Sequence, residues 1–312
     1  MDVQFTVVVS SENSHYMAWQ TQLFCFSAIT RLNKRPIIIV HDTSQPLRPE
    51  FRVLSRLGCR VIPAPPFKLA ARRRLYAARN EIGSLLWLTK LGSLGADNIL
   101  FCEPDMLFLG PLEFRPGASA EHYEYLDYGE RRVEAVARKM SLQLGVEDLN
   151  ARYSIGVPYL LPCSDLQRLA ARWLALIDCF EELDWIDIMY AFGFAAATER
   201  IAFRINGMMI TNKEEFAPVA ERRIIHYPYG SDLWNKRTYM HPPGPIGFPP
   251  SRLPAAPEKT VLGEIVSQIA EAREFFGYRN PLRRALDRFG LCSRSYPLAS
   301  QALWGSRCCD GQ

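Results

Sequence analysis

Apolar residues in this chain gather in two ways: as short unbroken runs, and as stretches in which they recur every three or four positions. An unbroken run bounded by polar turns reads as a buried strand, and three-to-four spacing reads as a helix with one buried face. Residues 5–9 form the first run, and the polar loop Ser10-Ser11-Glu12-Asn13-Ser14 follows. Residues 16–32 read as a helix, with Trp19, Leu23, Phe26 and Thr30 near helical spacing. Residues 36–40 are a second strand ending at His41-Asp42, and 51–57 a short helix. Residues 59–62 are a third strand, stopped by Pro63, Pro65 and Pro66. Residues 85–94 are helical, with Gly95 as the stop, and the strand Ile99-Leu100-Phe101-Cys102 comes next. Strands alternating with helices predict an α/β fold built on a mainly parallel sheet with right-handed crossovers.

The second half is less regular. Residues 121–153 are polar and charged, with a helix near 131–144. Arg131, Arg132, Arg138 and Lys139 are balanced there by Glu130 and Glu134, the pattern of a solvated helix face. Residues 157–161 read as a strand. Ser164 then caps a helix whose apolar stripe is Leu166, Leu169, Trp173, Leu176 and Phe180. A further helix spans about 185–197, and 201–205 and 224–227 read as strands. Residues 241–256 are rich in Pro and Gly and mark a boundary. Beyond it, 261–276 and 282–289 read as helices. The division is a main α/β domain over 1–240 and a linker with a helical tail over 241–312. No internal repeat is present.

At 48% hydrophobic residues, a substantial core is possible in 312 residues. Lys and Arg number 37 against 33 for Asp and Glu, and a net charge of +4 is too balanced for a dedicated nucleic-acid binder. No apolar run reaches membrane-spanning length. A strand begins within a few residues of Met1, which leaves no room for a signal peptide and makes the expectation a cytoplasmic protein. The eight cysteines contain no CxxC pair. Cys25, Cys59, Cys102, Cys163 and Cys179 sit in apolar surroundings as small core residues, so structural disulfides are not expected.

The chemistry concentrates where the fourth strand ends. Glu103-Pro104-Asp105 interrupts two apolar runs, and Pro104 has no N–H to continue a ladder. The carboxyl ends of strands in an open α/β sheet are where ligands bind. Residues two apart on an extended chain project to the same side, so Glu103 and Asp105 are placed to share one hard cation. The competing reading is a solvated turn. No Gly-rich phosphate loop, HExxH or nucleophile elbow is present, which argues against kinases, NTPases, NAD enzymes and common hydrolases. A metal beside a diphosphate is the pairing that remains, since the ion neutralises charge developing on a leaving diphosphate. His226 ends a strand and is either a third ligand or a packed strand-end histidine. Lys236 and Arg237 follow, as diphosphate contacts or as solvated charges.

These motifs, in this order, resemble the plant hydroxyproline O-arabinosyltransferases and the related peptidyl-serine O-galactosyltransferases, which are retaining glycosyltransferases of GT-A type. The resemblance is scattered over about residues 4–240. It is carried by Tyr16 with Trp19-Gln20, Asn80 with Trp87-Leu88, and Glu103-Pro104-Asp105 with Pro111. It continues through Ile155-Gly156 and Pro158, Trp185 with Met189-Tyr190-Ala191 and Ala195 to Ala197, His226-Tyr227 with Tyr229-Gly230 and Asp232, and Lys236-Arg237 with Tyr239. The sequence departs from the family in several places. Ile188 stands where the family has a helix Glu, and Asp187 is the nearest acid, about 100° away around a helix. Asp184 and Asp187 also fit an N-cap and N3 pair, so capping and catalysis are both open to them. The Lys-Pro that follows the family's Asn is missing, the Lys-Arg segment follows His226 sooner, and the membrane anchor of the plant members is lacking.

The resemblance implies a GT-A-like fold and a metal-dependent, retaining transfer of an arabinose- or galactose-type sugar. The donor would be a UDP-sugar, and the acceptor a hydroxyl on a peptide hydroxyproline or serine, or on a glycan. Glu103, Asp105 and His226 are the expected ligands of Mn²⁺ or Mg²⁺, with Asp105 counted among the catalytic candidates beside Asp187 and Asp184. Lys236 and Arg237 are the expected diphosphate contacts. Ser10, Tyr16, Gln20 and Asp42 lie at the ends of the first strands, where a nucleoside would sit; Asp42 is alternatively a cap after His41. Arg72, Arg73 and Arg74 read either as an acceptor contact or as solvated charge. Two other classes compete. A sugar nucleotidyltransferase shares the strand pattern but calls for a Gly-rich basic loop after the first strand, which residues 10–14 lack. A catalytically inactive binding or docking module is the other.

Overall fold

A computed structural model describes residues 3–68, 76–92, 94–140, 144–181, 183–230, 233–240, 248–249 and 254–278. Arg72 to Arg74, the helix expected over 282–289 and Asp232 fall outside them, as does most of the 241–256 boundary. Residues Met1–Ala272 form one compact unit, which holds both sheets, and Arg273–Gln312 separate as another.

The apolar runs do become strands. β1 (Phe5–Glu12), β2 (Ile37–His41), β3 (Arg60–Pro63) and β4 (Asn98–Cys102) lie in the order β3-β2-β1-β4, all parallel. Val7, Val8, Val9, Ile38, Ile39, Val40, Leu100 and Phe101 are buried, as continuous apolar runs are at the centre of a parallel sheet. β7 (Ile155–Pro162) joins β4 antiparallel, β6 (Ser119–His122) joins β7 antiparallel, and β8 (Arg204–Ile205) ends the seven-stranded sheet described. A smaller sheet, β5-β10-β9, sits beyond it: β5 (Met106–Phe108) pairs antiparallel with β10 (Ile224–His226), and β9 (Met209–Thr211) runs parallel to β10.

The helices are α1 (His15–Leu32), α2 (Pro49–Arg56), α3 (Arg79–Leu88), α4 (Arg131–Lys139), α5 (Val146–Tyr153), α6 (Leu166–Ile177), α7 (Asp187–Thr198) and α8 (Val261–Phe275). α1 packs against β1 and β5, so it spans both sheets. α7 is buried on every side from Asp187 to Ala197, as an all-apolar helix must be. α8 is tied to the small sheet by Gln268, whose Nε2 donates to Phe108 O at 3.1 Å.

The structure departs from the periodicity in places that bear on the site. β1 continues to Glu12, through residues expected to form a loop; Ser10, Ser11 and Glu12 pair in register with Ile39, Val40 and His41. Their polar side chains are tolerated there because they find partners: Ser84 Oγ for Ser10 at 2.9 Å, and Thr21 Oγ1 for Ser11 at 2.8 Å. The helix expected over 85–94 lies instead over Arg79–Leu88, since Gly92 takes a left-handed φ of 71° that a helix does not pass through. The 131–144 helix stops at Lys139, and α5 is an additional helix. Ser164 is not the cap of α6: Asp165 holds that position, without a side-chain cap bond. Of residues 201–205, only Arg204–Ile205 is strand. Cys25, Cys59, Cys102, Cys163 and Cys179 are free thiols; Cys292, Cys308 and Cys309 lie outside the described residues.

Candidate active site

The site is assembled where the chain leaves the large sheet for the small one. β4 ends at Cys102, Glu103-Pro104-Asp105 makes the crossing, and β5 begins at Met106. Because β10 pairs antiparallel with β5, His226 lies opposite Met106 and Tyr227 N donates to Asp105 O at 2.9 Å. That register brings a residue some 120 positions downstream onto the carboxylate pair. His226 Nε2 lies 3.0 Å from Glu103 Oε2 and 3.5 Å from Asp105 Oδ1. Candidate ligand atoms of Glu103, Asp105 and His226 all fall within 4.8 Å of one another.

The other face of the imidazole is set by Tyr123. The Tyr123 hydroxyl donates its single proton to Val157 O at 3.0 Å. Its oxygen, 3.3 Å from His226 Nδ1, must therefore accept from an Nδ1–H. In the neutral ring this leaves the Nε2 lone pair directed at the carboxylates. Nε2 is buried and meets both carboxylates without forming an aligned hydrogen bond to either. A strong-donor nitrogen, two carboxylates and no directed internal partner suit a bound divalent cation. Without one, burial disfavours the charged imidazole, but Asp105 and Glu103 more than offset this and the pKa is pushed up to about 9.

Lys236 closes the cluster from the other side. It opens the 3-10 segment Lys236–Tyr239, whose preceding residue Asn235 accepts from Arg237 N at 2.9 Å. Trp19 Nε1 donates to Tyr239 O at 3.2 Å and anchors the segment to α1. The buried Lys236 ammonium contacts Asp105 Oδ2 directly. Burial by itself raises the Asp105 pKa, yet Lys236 and His226 outweigh it and hold the carboxyl well below the usual range. Lys236 itself is raised: Asp105 more than offsets the burial of its charge.

A cavity of about 710 Å³ opens beside this cluster. Ser10, Tyr16, Gln20, Glu103, Asp105 and Lys236, all singled out from the sequence, line it. So does the start of α1 at Ser14, His15 and Tyr16, with Ser14 Oγ capping the helix by accepting from Met17 N at 3.2 Å. The positive end of the α1 dipole thus borders the same space as the Lys236 ammonium.

Four other sequence candidates lie elsewhere. Arg237 is exposed and is not part of the cavity wall. Asp42 also lies off the wall, paired with Lys68 Nζ at 2.7 Å. Asp187 is buried; its Oδ2 accepts from Asp184 N at 2.7 Å and its Oδ1 contacts Arg132. Asp187 is the first residue of α7, whose cap position is Ile186 without a side-chain cap bond, so Asp184 and Asp187 are not the N-cap and N3 pair; neither lines the cavity.

Three wall or support residues were missed by sequence reasoning. Glu81, on α3, lines the cavity, and burial together with the charges of Glu103 and Asp105 pushes its pKa up. Glu12 is raised chiefly by burial, and its Oε1 accepts from Asn80 Nδ2 at 2.7 Å. Tyr123 supports His226. Only Asn80, next to Glu81, had stood out in the sequence.

No family model matches the chain, and no curated protein matches it in sequence. Among solved structures it is similar to the apo form of WbbM, titled a bifunctional glycosyltransferase, at 13% identity and a TM-score of 0.45. That likeness covers 75% of this chain and 47% of WbbM, so the chain spans about half the length of that protein. It is also similar to an active-site mutant of LgtC, at 11% identity and a TM-score of 0.46, over 74% of this chain and 90% of LgtC. At these values the functional reading rests on the residues of the site.

Proposed function

We propose that this chain is a metal-dependent glycosyltransferase of GT-A type that takes its sugar from a UDP-sugar and passes it to a hydroxyl acceptor. The observation that carries this reading is the meeting of Glu103, Asp105 and His226, with Lys236 on Asp105, at the edge of one cavity. Glu103, Asp105 and His226 are the residues that hold the metal. An imidazole in the set favours Mn²⁺ over Mg²⁺, which prefers oxygen ligands. The bound ion supplies positive charge that stabilises a leaving diphosphate.

The chain's own groups do the rest. Lys236 and the positive end of the α1 dipole present positive charge to the diphosphate. Tyr16, whose hydroxyl bonds Lys236, holds that ammonium in place. Ser10 and Gln20 form the wall on which the nucleoside rests. Retention of configuration follows the resemblance of the motifs; there the leaving phosphate takes the acceptor proton, so no dedicated base is called for.

Calorimetry of UDP with Mn²⁺ and with chelator tests the metal, and a panel of UDP-sugars assayed for UDP release tests the chemistry. Tight binding only with Mn²⁺, and release from one sugar, is the expected result. Equal affinity in chelator removes the metal assignment. Metal-dependent UDP binding with no turnover of any donor turns the reading into that of an inactive nucleotide-sugar-binding protein.

A further inference from the structure

A line of aromatic rings runs from the candidate metal centre to the surface. Buried Tyr123 touches His226 through its hydroxyl. Its ring lies 5.3 Å from that of Tyr125, tilted by 31°. Tyr125 in turn lies 6.0 Å from Trp185, at 43°. The outer two are open to water: Trp185 is 61% exposed and Tyr125 43%, and Tyr229, on the segment after β10, is 37% exposed. Tyr125 also feels the charges of Tyr229 and Glu103, after burial, in its raised pKa.

The shelf is held rigidly. The Tyr76 hydroxyl lies 2.9 Å from Asp184 O and 3.2 Å from Trp185 O, and accepts from Ile188 N at 3.0 Å. Trp185 N donates to Asp184 Oδ1 at 2.6 Å. Tyr125 Oη contacts Met189 Sδ at 3.7 Å. The backbone under Trp185 is thus fixed while its indole lies in solvent. Large aromatic rings left exposed together, on a fixed backbone and next to a reaction centre, are recognition surface.

We infer that Tyr125 and Trp185 form the acceptor platform and that the acceptor is a carbohydrate, stacked by a pyranose ring on these two side chains. This rests on the glycosyltransferase reading and names its acceptor class. A pyranose has an apolar C–H face bordered by hydroxyls. The shelf offers the complement: two exposed aromatic rings beside the Asp184 carboxylate, which accepts from Trp185 N. A sugar stacked there lies beside Tyr125, whose neighbour Tyr123 contacts His226.

Saturation-transfer NMR on the full chain tests this with methyl β-D-glucopyranoside, whose axial hydrogens make a flat apolar face. The wild type is expected to saturate the ring hydrogens, and Trp185→Ala and Tyr125→Ala each to lose about fivefold or more of the effect. The affinity for UDP with Mn²⁺ stays within about twofold in both variants, and melting shows them folded, since both side chains are exposed. No saturation in the wild type, or equal saturation in Trp185→Ala, overturns the platform. So does a proline-rich hexapeptide that gives the Trp185-dependent signal where the glycoside gives none. Failure of UDP to bind, with the glycoside signal intact, defeats the donor reading and leaves the shelf a carbohydrate site.

Discussion

Replacing Asp105 by Asn keeps the size of the side chain and removes its charge. In the folded protein that charge faces the buried ammonium of Lys236 and the ring of His226. Removing one partner of a buried ion pair costs about 3–5 kcal/mol, because the other charge stays desolvated. Lys236 keeps the Tyr16 hydroxyl and lies 5.9 Å from the Tyr227 ring centroid, so the lower end, about 3 kcal/mol, is expected. For a domain of this size that is a fall of roughly 6–12 °C in melting temperature. The sign of its pH dependence comes from the shifts. The depressed Asp105 carboxyl contributes stability above the ordinary Asp pKa of about 4, lost as pH falls through its lower folded value. The raised Lys236 ammonium contributes below the ordinary Lys pKa of about 10.4, lost as pH rises through its higher folded value. Between those limits the penalty of Asp105→Asn is full; toward acid it shrinks. Turnover of the UDP-sugar falls on the order of a hundredfold or more, for loss of a metal ligand. Adding Lys236→Met to Asp105→Asn restores much of the melting temperature and none of the turnover. A folded Asp105→Asn protein with near wild-type turnover would refute the site, and one with unchanged melting would refute the buried pair.

The same geometry sets three further outcomes. Lys236→Ala weakens UDP far more than uridine in calorimetry, whereas Arg237→Ala, altering an exposed side chain off the cavity wall, changes both little; equal effects from the two variants would contradict the placement of Lys236. Tyr123→Phe removes the oxygen that accepts from His226 Nδ1 and lowers Mn²⁺ affinity by about tenfold, read by competition with a metal indicator. A Cβ at Gly156 would lie 2.1 Å from Tyr123 Cε2, so Gly156→Ala displaces that ring; about 1–3 kcal/mol of stability in urea unfolding and part of the Mn²⁺ affinity go together, and loss of neither would show that the ring is not held there.

The central strands were legible because a parallel strand buried on both faces must be apolar throughout, and the runs at Val7 to Val9, Ile37 to Val40 and Ile99 to Cys102 admit no other use. Glu103-Pro104-Asp105 was legible because proline ends a ladder and leaves two carboxylates at a strand edge. Elsewhere local pattern misled. Ser10 to Glu12 look like a loop, yet they continue β1, because strand pairing uses the backbone and Ser84, Thr21 and Asn80 satisfy their side chains. Which of two adjacent cations enters the cavity was invisible in Lys236-Arg237, since that depends on how a 3-10 turn is anchored by Trp19. The sequence also left Asp187 open between capping and catalysis; the fold makes it the first residue of α7, behind Ile186 at the cap, with its buried carboxylate on Arg132 and Asp184 N. Most of all, the sequence names His226 without saying what it meets. The antiparallel register of β5 on β10 sets it on Glu103 and Asp105, and Tyr123 turns its ring. Those are contacts between segments 100 or more residues apart, and no local periodicity encodes them.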